Sequence, residues 1–133
     1  MASKLYDLGE QAILDLYFNQ NRDVEVGLYD DSTDQLLDDA VFAGITTEPA
    51  DGNYARKTFN LANDFVRDIS TGNVTYKITS LTWDVQDTTG TVDSYFVRDA
   101  SNGNLLWTGL LNESKLLDPI DELDQNQIGI SLG

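Results

Sequence analysis

Carboxylates are the reactive side chains this chain holds in quantity. Asp and Glu number 23 against 8 Lys and Arg, giving a formal net charge of -15 over 133 residues. Most of the acid is Asp, clustered at Asp30-Asp31, Asp38-Asp39 and Asp118/Asp121/Asp124. The run Asp30-Asp31-Ser32-Thr33-Asp34 sets out hard oxygen donors of the kind calcium or magnesium takes, which makes Asp30, Asp31 and Asp34 a candidate cation loop. It lacks the alternating acids, central Gly and closing Glu of an EF-hand, so a solvated loop is the simpler reading, and any ion there would be structural. Paired carboxylates also hydrolyse glycosidic bonds, yet among so many Asp residues a pair arises by chance and nothing singles one out.

Other chemistry is excluded by what is absent. There is no histidine and no cysteine, which removes the commonest general base and metal ligand, disulfides, and Cys-ligated zinc or iron–sulfur sites. No Gly-rich strand-to-helix turn cradles a phosphate; Gly103 and Gly109 fit a hairpin and a strand bulge instead. The sequence therefore predicts no catalytic residue, no cofactor and no enzyme. The four Arg and four Lys are scattered, so no basic stripe offers itself to nucleic acid. No stretch approaches the roughly 20 apolar residues that span a bilayer, and Met1-Ala2-Ser3-Lys4 runs into an amphipathic segment rather than a signal sequence, which predicts a soluble product made in the cytoplasm without a membrane partner. Asn73-Val74-Thr75 and Asn112-Glu113-Ser114 match the glycosylation acceptor pattern, a short one that chance often supplies. Trp83 and Trp107 are candidate sugar-stacking platforms, but each lies among aliphatic strand residues, where core is the expected role.

The elements that carry these residues are mostly strands. Leu5, Leu8, Ala12, Ile13 and Leu16 recur at helical spacing over about residues 5–18; Asp7 and Glu10 have the form of a capping box, and Gly9 weakens the first turn, so the regular helix is expected from Glu10 to Phe18. Val24, Val26 and Leu28 then alternate with Asp23, Glu25 and Gly27 in a strand ending at Tyr29. Gln35–Pro49 has no clean period and predicts a long connection with a short extended piece near Ile45-Thr46-Thr47. Tyr54–Leu61 alternates as a strand. Thr71-Gly72-Asn73 is a turn, Val74, Tyr76 and Ile78 form one face of the next strand, and Leu81, Trp83 and Val85 continue it. Val92–Arg98 and Asn104–Leu111 flank Ala100-Ser101-Asn102-Gly103 as a hairpin. Ile128, Ile130 and Leu132 mark a terminal strand. Short strands punctuated by turns and preceded by one helix predict an all-β fold, an antiparallel, jelly-roll-like β-sandwich with one N-terminal helix, forming a single domain over 1–133.

Four segments carry a resemblance: Lys4-Leu5-Tyr6-Asp7-Leu8-Gly9-Glu10-Gln11-Ala12; Val24-Glu25-Val26-Gly27-Leu28-Tyr29 running into the acidic run; Ile45-Thr46-Thr47-Glu48-Pro49 with Gly52-Asn53-Tyr54-Ala55-Arg56; and Thr88–Val97. Together they resemble small structural proteins encoded among the virion genes of tailed viruses, especially those infecting haloarchaea. The resemblance implies an all-β building block with a leading helix, assembled in many copies within the virion. It points to a non-enzymatic capsid decoration or vertex-turret protein, with a tail or baseplate position and a module for host-surface glycans or glycoproteins as the alternatives. Its implied partners are itself, as a homo-oligomer, and other capsid or tail proteins. The expected contact surface is the N-terminal helix with the Gln35–Pro49 connection, through Tyr17, Phe18, Leu36, Leu37 and Phe42.

The charge itself has a measurable consequence. Clustered Asp residues repel one another in dilute buffer, and molar salt shortens the Debye length to about 3 Å, so the composition reads as that of a high-salt protein; an ordinary acidic surface is the plain alternative. The melting temperature of the purified chain is expected to climb steeply from dilute buffer to molar potassium chloride. A flat or falling profile would reject the high-salt reading.

Overall fold

A computed structural model describes residues 6–70, 73–118 and 120–131. The elements run α1 (Asp7–Tyr17), β1 (Asp23–Tyr29), α2 (Asp31–Asp34), a 3-10 turn (Phe42–Gly44), β2 (Lys57–Asn60), α3 (Leu61–Asp64), β3 (Val66–Ser70), β4 (Asn73–Asp84), β5 (Thr91–Asp99), β6 (Leu105–Leu116) and β7 (Glu122–Ser131). Two antiparallel sheets, β2-β1-β5-β6 and β3-β4-β7, enclose an apolar cluster that takes residues from both, including Val24, Val26, Leu28, Val97, Trp83 and Ile128. This is the expected β-sandwich with an N-terminal helix. Leu5, the Thr71-Gly72 turn and Leu132 lie outside the described residues.

Alternation made β1 and the β5–β6 hairpin readable, and both form where expected. Gly103 adopts φ +75°, the left-handed turn position that glycine tolerates at no cost. The turn is closed by Asp99 N–H donating to Asn104 O and Gly103 N–H to Asp99 O. β6 runs beyond the expected Leu111 to Leu116, because three extra residues loop out between the pairs Ser94↔Leu110 and Val92↔Lys115. That loop leans towards β7, where Asn112 N–H donates to Gln125 Oε1 and Gln125 Nε2 donates to Gln127 O, each at 3.0 Å. Tyr95 closes the same gap higher up. Its ring lies where a Cβ on Gly109 would sit, and its hydroxyl meets both N–H and C=O of Gly129.

Other expectations need correction. α1 starts at Asp7, not Glu10, and its N-cap is Tyr6 without a side-chain cap bond, so Asp7 and Glu10 act on the helix dipole rather than as a capping box. The expected strand Tyr54–Leu61 shrinks to Lys57–Asn60, since Leu61 opens α3 and Tyr54 turns its hydroxyl to accept from Leu28 N–H at 3.0 Å. The extended piece near Ile45-Thr46-Thr47 is present, and its threonines serve the acidic turn. β4 is one strand with an internal switch: Val74 and Ile78 face inward at even positions, Leu81 and Trp83 at odd ones. Ser80, at φ +61°, marks the crossing. β7 switches with it, from Ile128 to Gln125 and Leu123, and the pairs Thr79↔Gln127 and Leu81↔Gln125 keep one register across the switch.

The outer face of the four-stranded sheet is also packed. Tyr29 and Phe96 are fully buried yet stand apart from the inter-sheet cluster, roofed by the connection between β1 and β2. Phe42 meets the Phe96 ring edge-on at 5.2 Å, and the Arg56 guanidinium lies over both rings. Gly27, opposite Phe96, has no room for a side chain: a Cβ would approach the Phe96 ring to 2.3 Å. Arg98 belongs to this roof, at 2.8 Å from Glu25 and over the Phe42 ring. Phe96→Ala is expected to cost about 3–5 kcal/mol and Gly27→Ala about 1–3 kcal/mol in denaturant titrations. A Gly27→Ala chain as stable as the parent would show that this face is not close-packed.

Candidate functional site

The helix carries two apolar ridges. Leu14 and Phe18, four residues apart, are buried; Leu8, Ala12 and Leu16, on the i, i+4, i+8 line, are exposed. The residues that recur at helical spacing in the sequence thus lie on the outward side, with Leu8 at 79%, Leu16 at 73% and Ile13 at 50% exposure. Aromatic packing decides which ridge goes in. Phe18 stacks flat on Tyr76 at 4.3 Å and meets Phe65 and Trp107 within 6.0 Å.

Polar contacts then fix the helix in place. Asp15 accepts from Arg67 Nε at 2.7 Å and from the Tyr76 hydroxyl at 2.5 Å. The Arg67 guanidinium, followed by the Tyr76 hydroxyl, holds the Asp15 carboxyl below its usual value. β3, tied to α1 by this bridge, is exposed along its whole length, with Val66 and Ile69 open to solvent. Of the residues expected to form a contact surface, Leu37 is exposed, Tyr17, Leu36 and Phe42 are half-buried, and Phe18 is core.

The acidic run is not a loop but one helical turn, α2, capped at Asp30. Asp30 accepts from Ser32 N–H and the Thr33 hydroxyl, and Asp31 Oδ1 from Leu36 N–H and the Tyr29 hydroxyl. Asp34 accepts from the N–H and hydroxyl groups of both Thr46 and Thr47, the hydroxyls at 2.6 and 2.7 Å. Asp93 of β5 takes the N–H groups of Asp31 and Ser32 together with the Ser32 hydroxyl. Each carboxylate faces its own donors, and among the described residues no group of three or more acids is placed to hold an ion. Nothing in the sequence marked Asp93 as a partner of this turn, 62 residues upstream of it.

Clefts also open on this surface. One, of about 260 Å³, lies between β6 and β7, beside Asn112, Glu113 and Lys115. Another, of about 560 Å³, is lined by Asn21, Arg22, Asp23 and Asp99–Ser101. Both acceptor-pattern asparagines are exposed, Asn73 at the start of β4 and Asn112 on the β6 loop-out. Trp83 is core, as expected, and Trp107 is half-buried against it. No helix among the described residues is long and apolar enough to cross a membrane.

A β-sandwich with an exposed helical ridge is an architecture of many uses, and the comparison with known families decides between them. The family model described as Podophage GP4 fiber I protein gp80 matches residues 6–132. The chain belongs to that family. No curated protein and no solved structure matches it. Membership makes the chain a structural protein of a tailed virus, as the resemblance implied. A fibre agrees with the tail alternative better than with capsid decoration or a turret.

The acidic turn yields a pH prediction. Burial raises the Asp34 and Asp93 carboxyls, but the donors from Thr46 and Thr47, and from Ser32, Asp31 and Ser94, outweigh it and hold both below the ordinary value. A carboxyl lowered on folding stabilises the fold above its unfolded pKa of about 3.9 and loses that contribution as the pH falls through the folded value. The melting temperature should therefore fall as the pH drops below about 4. Asp34→Asn should cost about 1–2 kcal/mol at neutral pH and flatten that acid limb. An unchanged acid limb would exclude Asp34 as a source.

Proposed function

We propose that this chain is a non-enzymatic component of a tail fibre, joined to further copies of itself through the outward ridge of α1. The observation that carries this reading is the Leu8/Ala12/Leu16 ridge on a helix already fixed to the sandwich by Phe18 and Asp15. An apolar ridge held rigidly in water costs solubility unless something covers it. A chain that serves a virus particle acts by repetition, and a second copy needs only one self-complementary set of contacts. Charge sets the condition, since subunits at -15 approach one another where salt screens them. The fibre family supports the virion location, with other tail proteins as neighbours.

Deleting residues 1–20 would remove Leu14 and Phe18 from the core, so point variants make the discriminating test. In molar salt the parent chain is expected to sediment as an oligomer. Leu8→Asp combined with Leu16→Asp should yield a monomer with unchanged circular dichroism and melting temperature. A double variant that still sediments with the parent would remove α1 from the interface, and a parent that is monomeric in molar salt would remove self-assembly.

A further inference from the structure

Asn102-Gly103 is the only Asn-Gly pair in the chain, and it stands at the exposed tip of the β5–β6 hairpin. This dipeptide has chemistry of its own. The Gly103 nitrogen, once deprotonated, can attack the Asn102 side-chain Cγ. An N–C bond forms, ammonia leaves with the side-chain nitrogen, and the resulting succinimide is opened by water at either carbonyl to give Asp or isoaspartate. Glycine favours the attack because no side chain hinders the approach.

In the folded turn both reacting groups are engaged. Gly103 N–H donates to Asp99 O at 2.8 Å, and Asn102 Oδ1 accepts from Asn104 N–H at 2.9 Å. Asp99 is itself immobilised, accepting from Ser101 N–H and hydroxyl and from Arg22 Nη2. Bringing Gly103 N onto Cγ requires breaking the first bond to free the nucleophile and the second to turn the amide. We propose that Asn102 is a water-dependent deamidation site gated by opening of the hairpin tip. The closed turn keeps nucleophile and electrophile apart, each opening releases both together, and the isoaspartate product cannot return, because its extra backbone methylene does not fit a turn closed between Asp99 and Asn104.

The chain's Asp-Gly pair, Asp51-Gly52, provides an internal contrast. Asp51 accepts from Thr89 N–H at 2.9 Å and from the Thr89 hydroxyl at 2.6 Å, contacts that favour the ionised carboxylate, which resists nucleophilic attack. Gly52 is packed so closely on Asp87 that an added Cβ would come within 2.3 Å of its backbone. Asp51 therefore stays intact where Asn102 reacts.

The test incubates the full chain in mildly alkaline buffer, folded in molar salt and unfolded in concentrated urea, and follows the tryptic peptide Asp99–Lys115 by mass and by retention of the isoaspartate form. Opening even a weakly stable tip costs enough to slow the folded reaction about tenfold or more relative to urea, in step with hydrogen exchange at the Gly103 amide. Gly103→Ala should slow the reaction in urea, where folding plays no part. Equal rates in the two states would overturn the gate. No conversion in urea, or conversion at Asp51 as fast as at Asn102 in the folded chain, would overturn the site assignment.

Discussion

Strand β1 outruns β2, and the backbone N–H groups left without a ladder partner govern much of what lies above the four-stranded sheet. β2 reaches only as far as the pair Val26↔Lys57, so Leu28 N–H and Asp30 N–H need other acceptors. The Tyr54 hydroxyl takes the first and Thr47 Oγ1 the second. A buried donor left unsatisfied costs about 1–3 kcal/mol, enough to dictate the path of the segment that supplies its acceptor. Once Tyr54 is placed, Glu48 accepts its hydroxyl and binds Arg56 through two bonds. Arg56 then lies on Phe42 and Phe96. Once Thr47 is placed, Asp34 follows, and with it the turn α2. A connection without periodicity is thus ordered by hydrogen bonds rather than by a hydrophobic pattern.

That distinction separates what was legible in the sequence from what was not. β1 and the β5–β6 hairpin could be read because alternation and an Asn-Gly turn are local signals. The roof over Phe96 could not, since its residues are polar or isolated and acquire meaning only beside partners far along the chain, such as Asp93 with Ser32. The helix was legible as a helix but not in its orientation. Its apolar spacing, Leu8, Ala12 and Leu16, does not say which side packs inward; Leu14 and Phe18 do so because Tyr76, Phe65 and Trp107 gather around Phe18. The carboxylates of Asp30, Asp31 and Asp34 were legible as donor oxygens; that threonine and backbone N–H groups of this same chain take them up was not.

Acidity therefore has two parts in this molecule. Asp15, Asp34, Asp93 and Asp99 are internal acceptors, and each is held below the usual carboxylate value by named donors. They would be needed at any ionic strength. The exposed pair Asp38 and Asp39 adds to the long-range repulsion that salt relieves. For this member of the gp80 fibre family, the first group shapes the fold and the second its outward field.

The crossing at Ser80 constrains how relatives of this chain can vary in length. Each of β4 and β7 carries one residue more than strict alternation allows, at the same level of the sheet and in unbroken register. Losing the extra residue from both strands would leave a straight, regular ribbon with Leu81, Trp83, Leu123 and Gln125 still facing inward. Losing it from one alone would set the two strands out of step on one side of the break, turning core residues to the solvent. Insertions and deletions in these two distant segments are therefore tolerable only as matched pairs, a dependence between positions that never shows as a substitution.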